Sequence, residues 1–151
     1  MLIKICGIQN ENTLLCCEKN NVNFFGMIFY PKSPRNISIE KARFLQKQSQ
    51  DLNINGVGVF VNKNINEIEE IIESIKLKFV QLHGSENEKY INDLKKNEVK
   101  IIKTISISNK KDLKKIHNYS NADYFLFDYK PMIDELPGGN SKSFDWNILK
   151  Y

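Results

Sequence analysis

The feature that most constrains this chain is a rhythm. Short apolar, β-rich runs recur at Leu2–Ile5, Phe24–Phe29, Val57–Val61, Phe79–Leu82, Lys100–Ile105 and Tyr124–Phe127, with helical patterns between them. Most of the runs are nearly continuous rather than alternating, as strands covered on both faces of a parallel sheet are. Ile65, Ile68, Ile71, Ile72 and Ile75 recur at helical spacing and mark one apolar face. Ser38 is expected to cap a helix carrying Ala42 and Leu45, and Asn109 one carrying Leu113 and Ile116. The stretch Ser85-Glu86-Asn87-Glu88 reads as a capping box opening a further helix with Tyr90, Ile91 and Leu94. No linker or low-complexity block interrupts the series, so residues 1–151 are expected to form a single domain. Repeated right-handed βαβ units leave two architectures, an open doubly wound sheet or a (β/α)8 barrel, and periodicity does not choose between them. Neither GxGxxG nor GxxxxGK[ST] follows any strand, so the two nucleotide fingerprints that would favour the open sheet are missing.

Composition removes several classes of function. Cys6, Cys16 and Cys17 are odd in number, two are adjacent, and no CxxC or CxxH accompanies them, which argues against a disulfide framework or a zinc site. Cys16 and Cys17 fall mid-helix and are assigned to packing. A reduced cytoplasm is the expected compartment. The apolar run at the N-terminus is too short for a signal peptide, no stretch is long enough to span a bilayer, and no membrane partner is expected. The net charge of +4 could suggest nucleic acid, but the lysine pairs are scattered among acids as on solvated helix faces. No basic stripe interleaves with aromatics, so a nucleic-acid partner is not expected and an anionic small molecule fits better.

In a barrel the chemistry sits where the strands end and in the loops that follow. The first run ends at Cys6-Gly7, and the second leads into Tyr30-Pro31-Lys32-Ser33-Pro34-Arg35. The fourth ends at Gln81-Leu82-His83-Gly84, and the sixth at Asp128 before a long loop containing Pro137-Gly138-Gly139. Singly, each has an ordinary structural explanation: a small buried thiol, a satisfied imidazole, an aspartate capping a turn, a flexible loop. Together they put a thiol, a carboxyl and a guanidinium on one end of one sheet. The first and sixth strands of an eight-strand ring face each other across its mouth, which suits a base and an acid acting on opposite sides of one bound sugar.

Six ordered blocks carry a resemblance that covers the whole chain. They are Lys4–Ile8, Gly26–Arg35, Gly58–Asn62, Val80–Gly84, Leu126–Asp128, and Pro137–Gly139 with Phe144-Asp145-Trp146. The sequence resembles the phosphoribosylanthranilate isomerase family of tryptophan biosynthesis. The resemblance implies a TIM-barrel fold and an Amadori rearrangement that turns N-(5-phosphoribosyl)anthranilate, an aldose amine, into the 1-deoxyribulose ketose. It implies Cys6 as general base, Asp128 as general acid held protonated by partial burial, and Arg35 on the anthranilate carboxylate. Gln81, His83, Gly138 and Gly139 are expected to bind substrate. No metal or organic cofactor is expected.

The resemblance has two departures. The family continues Gly-Gly-Thr-Gly where this chain reads Gly138-Gly139-Asn140-Ser141. It also runs on beyond the Phe-Asp-Trp block into strands 7 and 8, whereas this sequence stops at Tyr151, so about six βα units are expected and the usual phosphate site is not among them. Two other readings follow: a fragment that is inactive or needs a complementing C-terminal segment or self-association, or another phosphosugar-processing barrel enzyme. A histidine-pathway isomerase would carry a carboxylate where Cys6 stands.

Overall fold

In the computed structural model, which describes residues 1–150, six strands form one all-parallel sheet in the order of the chain. They are β1 (Lys4–Cys6), β2 (Phe24–Ile28), β3 (Asn55–Phe60), β4 (Phe79–Leu82), β5 (Lys100–Ile107) and β6 (Tyr124–Tyr129). Four α-helices alternate with them: α1 (Glu11–Lys19), α2 (Ile39–Gln48), α3 (Ile65–Ile75) and α4 (Glu88–Lys95). Tyr151, on which the expected domain ends, lies outside the described residues.

The strand order settles the choice that periodicity left open. A doubly wound sheet reverses direction at a switch point, whereas here every strand pairs with its predecessor, as in a singly wound barrel wall. Residues of β1 and of β6 line one cavity, so the sheet curls until its two edges face each other.

Each helix starts where a side chain can satisfy its first free amides. Asn10, Ser38, Asn64 and Asn87 accept from Thr13 N, Lys41 N, Asn66 N and Tyr90 N respectively. The expected isoleucine face of α3 is present, with Ile68, Ile71, Ile72 and Ile75 buried against the sheet. They join Leu14, Ala42, Leu45, Ile91 and Leu94 from the other helices, which meet Phe25, Met27, Val80 and Ile101 from the strands in one core. Burying side chains of this size contributes about 1.5–3 kcal/mol each before conformational entropy is charged against it.

Four local expectations need correction. Ser85 does not cap α4: Asn87 does, because Glu86 of the supposed box is drawn inward to Lys103 and to the amides of Asn62 and Gly84. Asn109 does begin a helix, with a full capping box to Asp112, but the segment Lys110–Asn118 is 3₁₀ rather than α, and Leu113 and Ile116 are only half-buried. Cys16 is exposed, and only Cys17 packs in the core, since adjacent helical residues point about 100° apart. Finally, β1 starts at Lys4, leaving Leu2 exposed, and β6 continues to Tyr129, one residue past Asp128.

Candidate active site

The cavity at the C-terminal end of the strands measures about 640 Å³. Its walls hold each residue singled out from the sequence: Cys6, Arg35, Gln81, His83, Asp128, Gly138 and Gly139. A larger hollow of about 1040 Å³ opens at the other end of the sheet, beside Asn55, Phe79 and Lys100 where β3, β4 and β5 begin. It is walled by surface glutamates and lysines and holds no thiol or imidazole.

Cys6 is a free, partly exposed thiol at the end of β1. Lys4 lies two residues earlier, on the same face of the strand, and lines the cavity too. Arg35 reaches back from the loop after β2 and donates through Nη1 to the Cys6 carbonyl at 3.1 Å. This approach needs the glycine at position 7: with φ of +86°, a side chain there would be strained, and its Cβ would sit 2.6 Å from Arg35 Cδ.

On the far wall, His83 Nε2 lies 3.2 Å from Asp128 Oδ2. Asp128 Oδ1 accepts from the Tyr129 amide at 2.8 Å. The bond to His83 holds the Asp128 carboxyl below the usual carboxylate range, burial acts in the opposite sense, and the Tyr129 amide and the His83 charge reinforce the lowering. This corrects the expectation of an aspartic acid kept protonated by burial: in the free chain the hydrogen bonds outweigh the desolvation, and Asp128 is a carboxylate.

Behind His83, Gln81 and Thr104 meet its Nδ1. Gln81, 1% exposed, donates through Nε2 to His83 Nδ1 at 2.8 Å and to Thr104 Oγ1 at 3.4 Å. Its Oε1 is buried with no hydrogen-bond partner, a state that costs about 1–3 kcal/mol. The glycine pair lines the same cavity. Gly138 has φ of +79°, and a Cβ on it would lie 2.9 Å from His83 Nε2 and 3.5 Å from Asp128 Oδ2. Gly139 lies against the Arg35 guanidinium.

Sequence reasoning missed Lys4, Thr104 and the pair beneath the site, Lys103 with Glu86. Lys103 Nζ donates to Glu86 Oε2 at 2.9 Å and to the Gly84 carbonyl at 2.7 Å. Glu86 in turn accepts from the amides of Asn62 and Gly84 at 2.8 and 3.0 Å. The pair therefore ties the loop after β3 to the loop that carries His83. The signal available for it was Lys103 among the isoleucines of the strand Lys100–Ile107, where a buried lysine calls for a buried partner.

The comparisons with known proteins agree with this architecture. The family model for N-(5'-phosphoribosyl)anthranilate (PRA) isomerase matches residues 3–151. The N-(5'-phosphoribosyl)anthranilate isomerase of Clostridium acetobutylicum is 40% identical over 148 residues, spanning 98% of this chain and 69% of that protein. That of Chelativorans sp. is 36% identical, over 97% of this chain and 68% of its own length. Among solved structures, the Thermotoga maritima isomerase superposes with a TM-score of 0.86 at 32% identity, covering 99% of this chain and 70% of that one. An isomerase solved in complex with reduced 1-(o-carboxyphenylamino)-1-deoxyribulose 5-phosphate gives a TM-score of 0.78 at 32% identity, over 85% of this chain and 65% of that one. With the strand order, the curled sheet and matches at this level over nearly its whole length, the chain belongs to the N-(5'-phosphoribosyl)anthranilate isomerase family.

Proposed function

We propose that this chain catalyses the isomerisation of N-(5'-phosphoribosyl)anthranilate to 1-(o-carboxyphenylamino)-1-deoxyribulose 5-phosphate, the Amadori step of tryptophan biosynthesis, in the cytoplasm and without metal or organic cofactor. One observation carries the reading: the thiol of Cys6 and the carboxyl of Asp128, from the two edge strands of the sheet, face a single cavity that also holds the Arg35 guanidinium. A base and an acid on opposite walls can address C2 and the ring oxygen of one sugar.

The Asp128 carboxyl, once it has taken up a proton, gives it to the furanose oxygen, the C1–O bond breaks towards that oxygen, and the anilino nitrogen's lone pair forms the Schiff base. Cys6, as thiolate, then takes the proton from C2, and the enolamine so formed tautomerises to the ketone. Arg35 has one Nη committed to the Cys6 carbonyl, which leaves its remaining N–H groups to hold the anthranilate carboxylate. Gln81, His83, Gly138 and Gly139 complete the substrate contacts. Cys6 also distinguishes this reaction from that of a barrel isomerase working with two carboxylates.

The test is Cys6→Ala, assayed by loss of the substrate's anthranilate fluorescence. Loss of a general base should lower kcat on the order of 100-fold or more while KM changes only a few-fold. A variant with near-normal kcat would remove Cys6 from the mechanism.

A further inference from the structure

The reaction asks Asp128 to deliver a proton, yet its hydrogen bonds hold it as a carboxylate. The group in contact with it that can supply a proton is His83, whose Nε2 is 3.2 Å away. Whether His83 can do so is decided on the other side of its ring. If Nδ1 accepts from the Gln81 amide, the neutral imidazole owns a single proton, at Nε2, and surrendering it would leave an imidazolate. If Nδ1 carries a proton as well, the ring is an imidazolium that can release the one at Nε2 and become neutral. That state needs an acceptor facing Nδ1. Gln81 has such an acceptor in its Oε1, which is buried without a partner while its Nε2 lies 2.8 Å from Nδ1. A half-turn of the amide exchanges the two ends at no cost in volume. It brings Oε1 to Nδ1 and within reach of the Thr104 hydroxyl, and puts the amide nitrogen in the buried position that Oε1 held.

We propose that His83 and Asp128 act as one proton-carrying pair, in which Gln81 turns its carbonyl to His83 Nδ1 and His83 passes the Nε2 proton to Asp128 for delivery to the substrate. The proposal rests on the reaction of the preceding section. Before ring opening the pair holds one proton between Nε2 and Oδ2 and is neutral overall. Oδ2 gives that proton to the ring oxygen, which keeps the electron pair of the broken C1–O bond and becomes a hydroxyl. The pair is left as neutral imidazole and carboxylate. After C2 deprotonation, the thiol of Cys6 and the depleted pair return to their starting states by exchanging one proton with water. In the proton transfer His83 acts through Asp128 and is a positioning residue; Gln81 sets its tautomer. The groups that face His83 are Asp128 from β6, Gln81 from β4, Thr104 from β5 and the Gly138 backbone. The ionisable groups that share its cavity are Lys4, Cys6, Tyr30 and Arg35.

The test reads the ring nitrogens directly. The chain has two histidines, so ¹⁵N-histidine spectra with His117→Asn as the assignment control isolate His83. The expected result is a protonated Nδ1 and a shared proton at Nε2. Gln81→Leu, which cannot accept, should move His83 to the tautomer protonated at Nε2 alone. A bare Nδ1 in the unaltered chain would overturn the proposal. In turnover, His83→Gln keeps an amide donor for Asp128 but removes the transferable proton. We expect kcat to fall on the order of 100-fold, KM to stay within about 3-fold and the alkaline limb of the kcat–pH profile to move. Unchanged kcat and profile would mean that His83 only holds Asp128 in place. The spectra require no turnover, so a chain that fails to isomerise would refute the reaction and still leave the tautomer to be read.

Discussion

Replacing Lys103 by methionine tests what holds the loops beneath the site. The side chains of Lys103 and Glu86 are 1% and 2% exposed, and their charged atoms lie 2.9 Å apart. Removing one partner of such a pair leaves the other charge buried and uncompensated, a loss of about 3–5 kcal/mol. Methionine fills most of the space of the lysine stem, so little cavity is added. Glu86 also keeps its two amide donors, from Asn62 and Gly84. These place the expected loss for Lys103→Met near the lower bound, about 3 kcal/mol. In a domain of this size each kcal/mol shifts Tm by about 2–4 °C, so a thermal melt followed by circular dichroism should fall by roughly 6–12 °C. Glu86→Gln alone should also destabilise, since the ammonium then keeps only neutral acceptors. The double variant should be more stable than the sum of the two losses predicts, by about 1 kcal/mol or more. A drop of less than about 2 °C in Lys103→Met would refute the argument, because the pair would then carry no net weight in the fold.

Gly138→Ala should combine a backbone cost of about 1–2 kcal/mol for a side chain at positive φ with a push on His83 Nε2. It is expected to lower Tm by a few degrees and kcat by roughly 10-fold, measured by melt and steady-state assay. Asp112 is buried, which would raise its pKa, but Lys115 and the donors of Ser108 and Asn109 outweigh that and hold the carboxyl far below its usual range. A depressed folded pKa contributes stability that is present above the unfolded value and lost as pH falls towards the folded one. The Tm gap between wild type and Asp112→Asn should therefore be full at about pH 6 and shrink below about pH 4. Tyr90 donates to the Lys63 carbonyl, and burial, then the charges of Glu86, Glu67 and Glu69, push it up to about 12. Burial raises Tyr119 as well, so in an alkaline absorbance titration these two tyrosines should ionise late, and Tyr90→Phe should remove the phase near pH 12; the stability Tyr90 contributes is present below about pH 10 and lost as pH rises to about 12.

What the sequence displays well is whatever depends on neighbours along the chain. The run Phe79–Leu82 is a strand residue for residue, and the isoleucines of α3 are buried as their spacing requires. What it displays poorly is polar pairing across the fold. Ser85 satisfies the capping pattern, but Glu86 beside it is claimed by a lysine on the next strand, and no local window contains that lysine. The encounter of His83 with Asp128 is likewise set by the registers of β4 with β5 and β5 with β6, which leave no periodic mark along the chain. The candidate residues could be named from their places at strand ends. The protonation of Asp128 could not, because it depends on a partner whose distance only the assembled sheet defines.

The strand order has a kinetic consequence. Each strand's partner is the one synthesised just before it, so every pairing closes a short loop and the sheet can grow one βα unit at a time as the chain leaves the ribosome. Contacts this local favour rapid folding for a parallel sheet. Yet the thiol sits on the first strand made and the carboxyl on the last of the six. Helical signal and core burial should therefore accumulate through most of folding while the chemical site does not exist. It comes into being only when β6 docks, which makes the contact of Asp128 with His83 a reporter of that docking rather than of compaction.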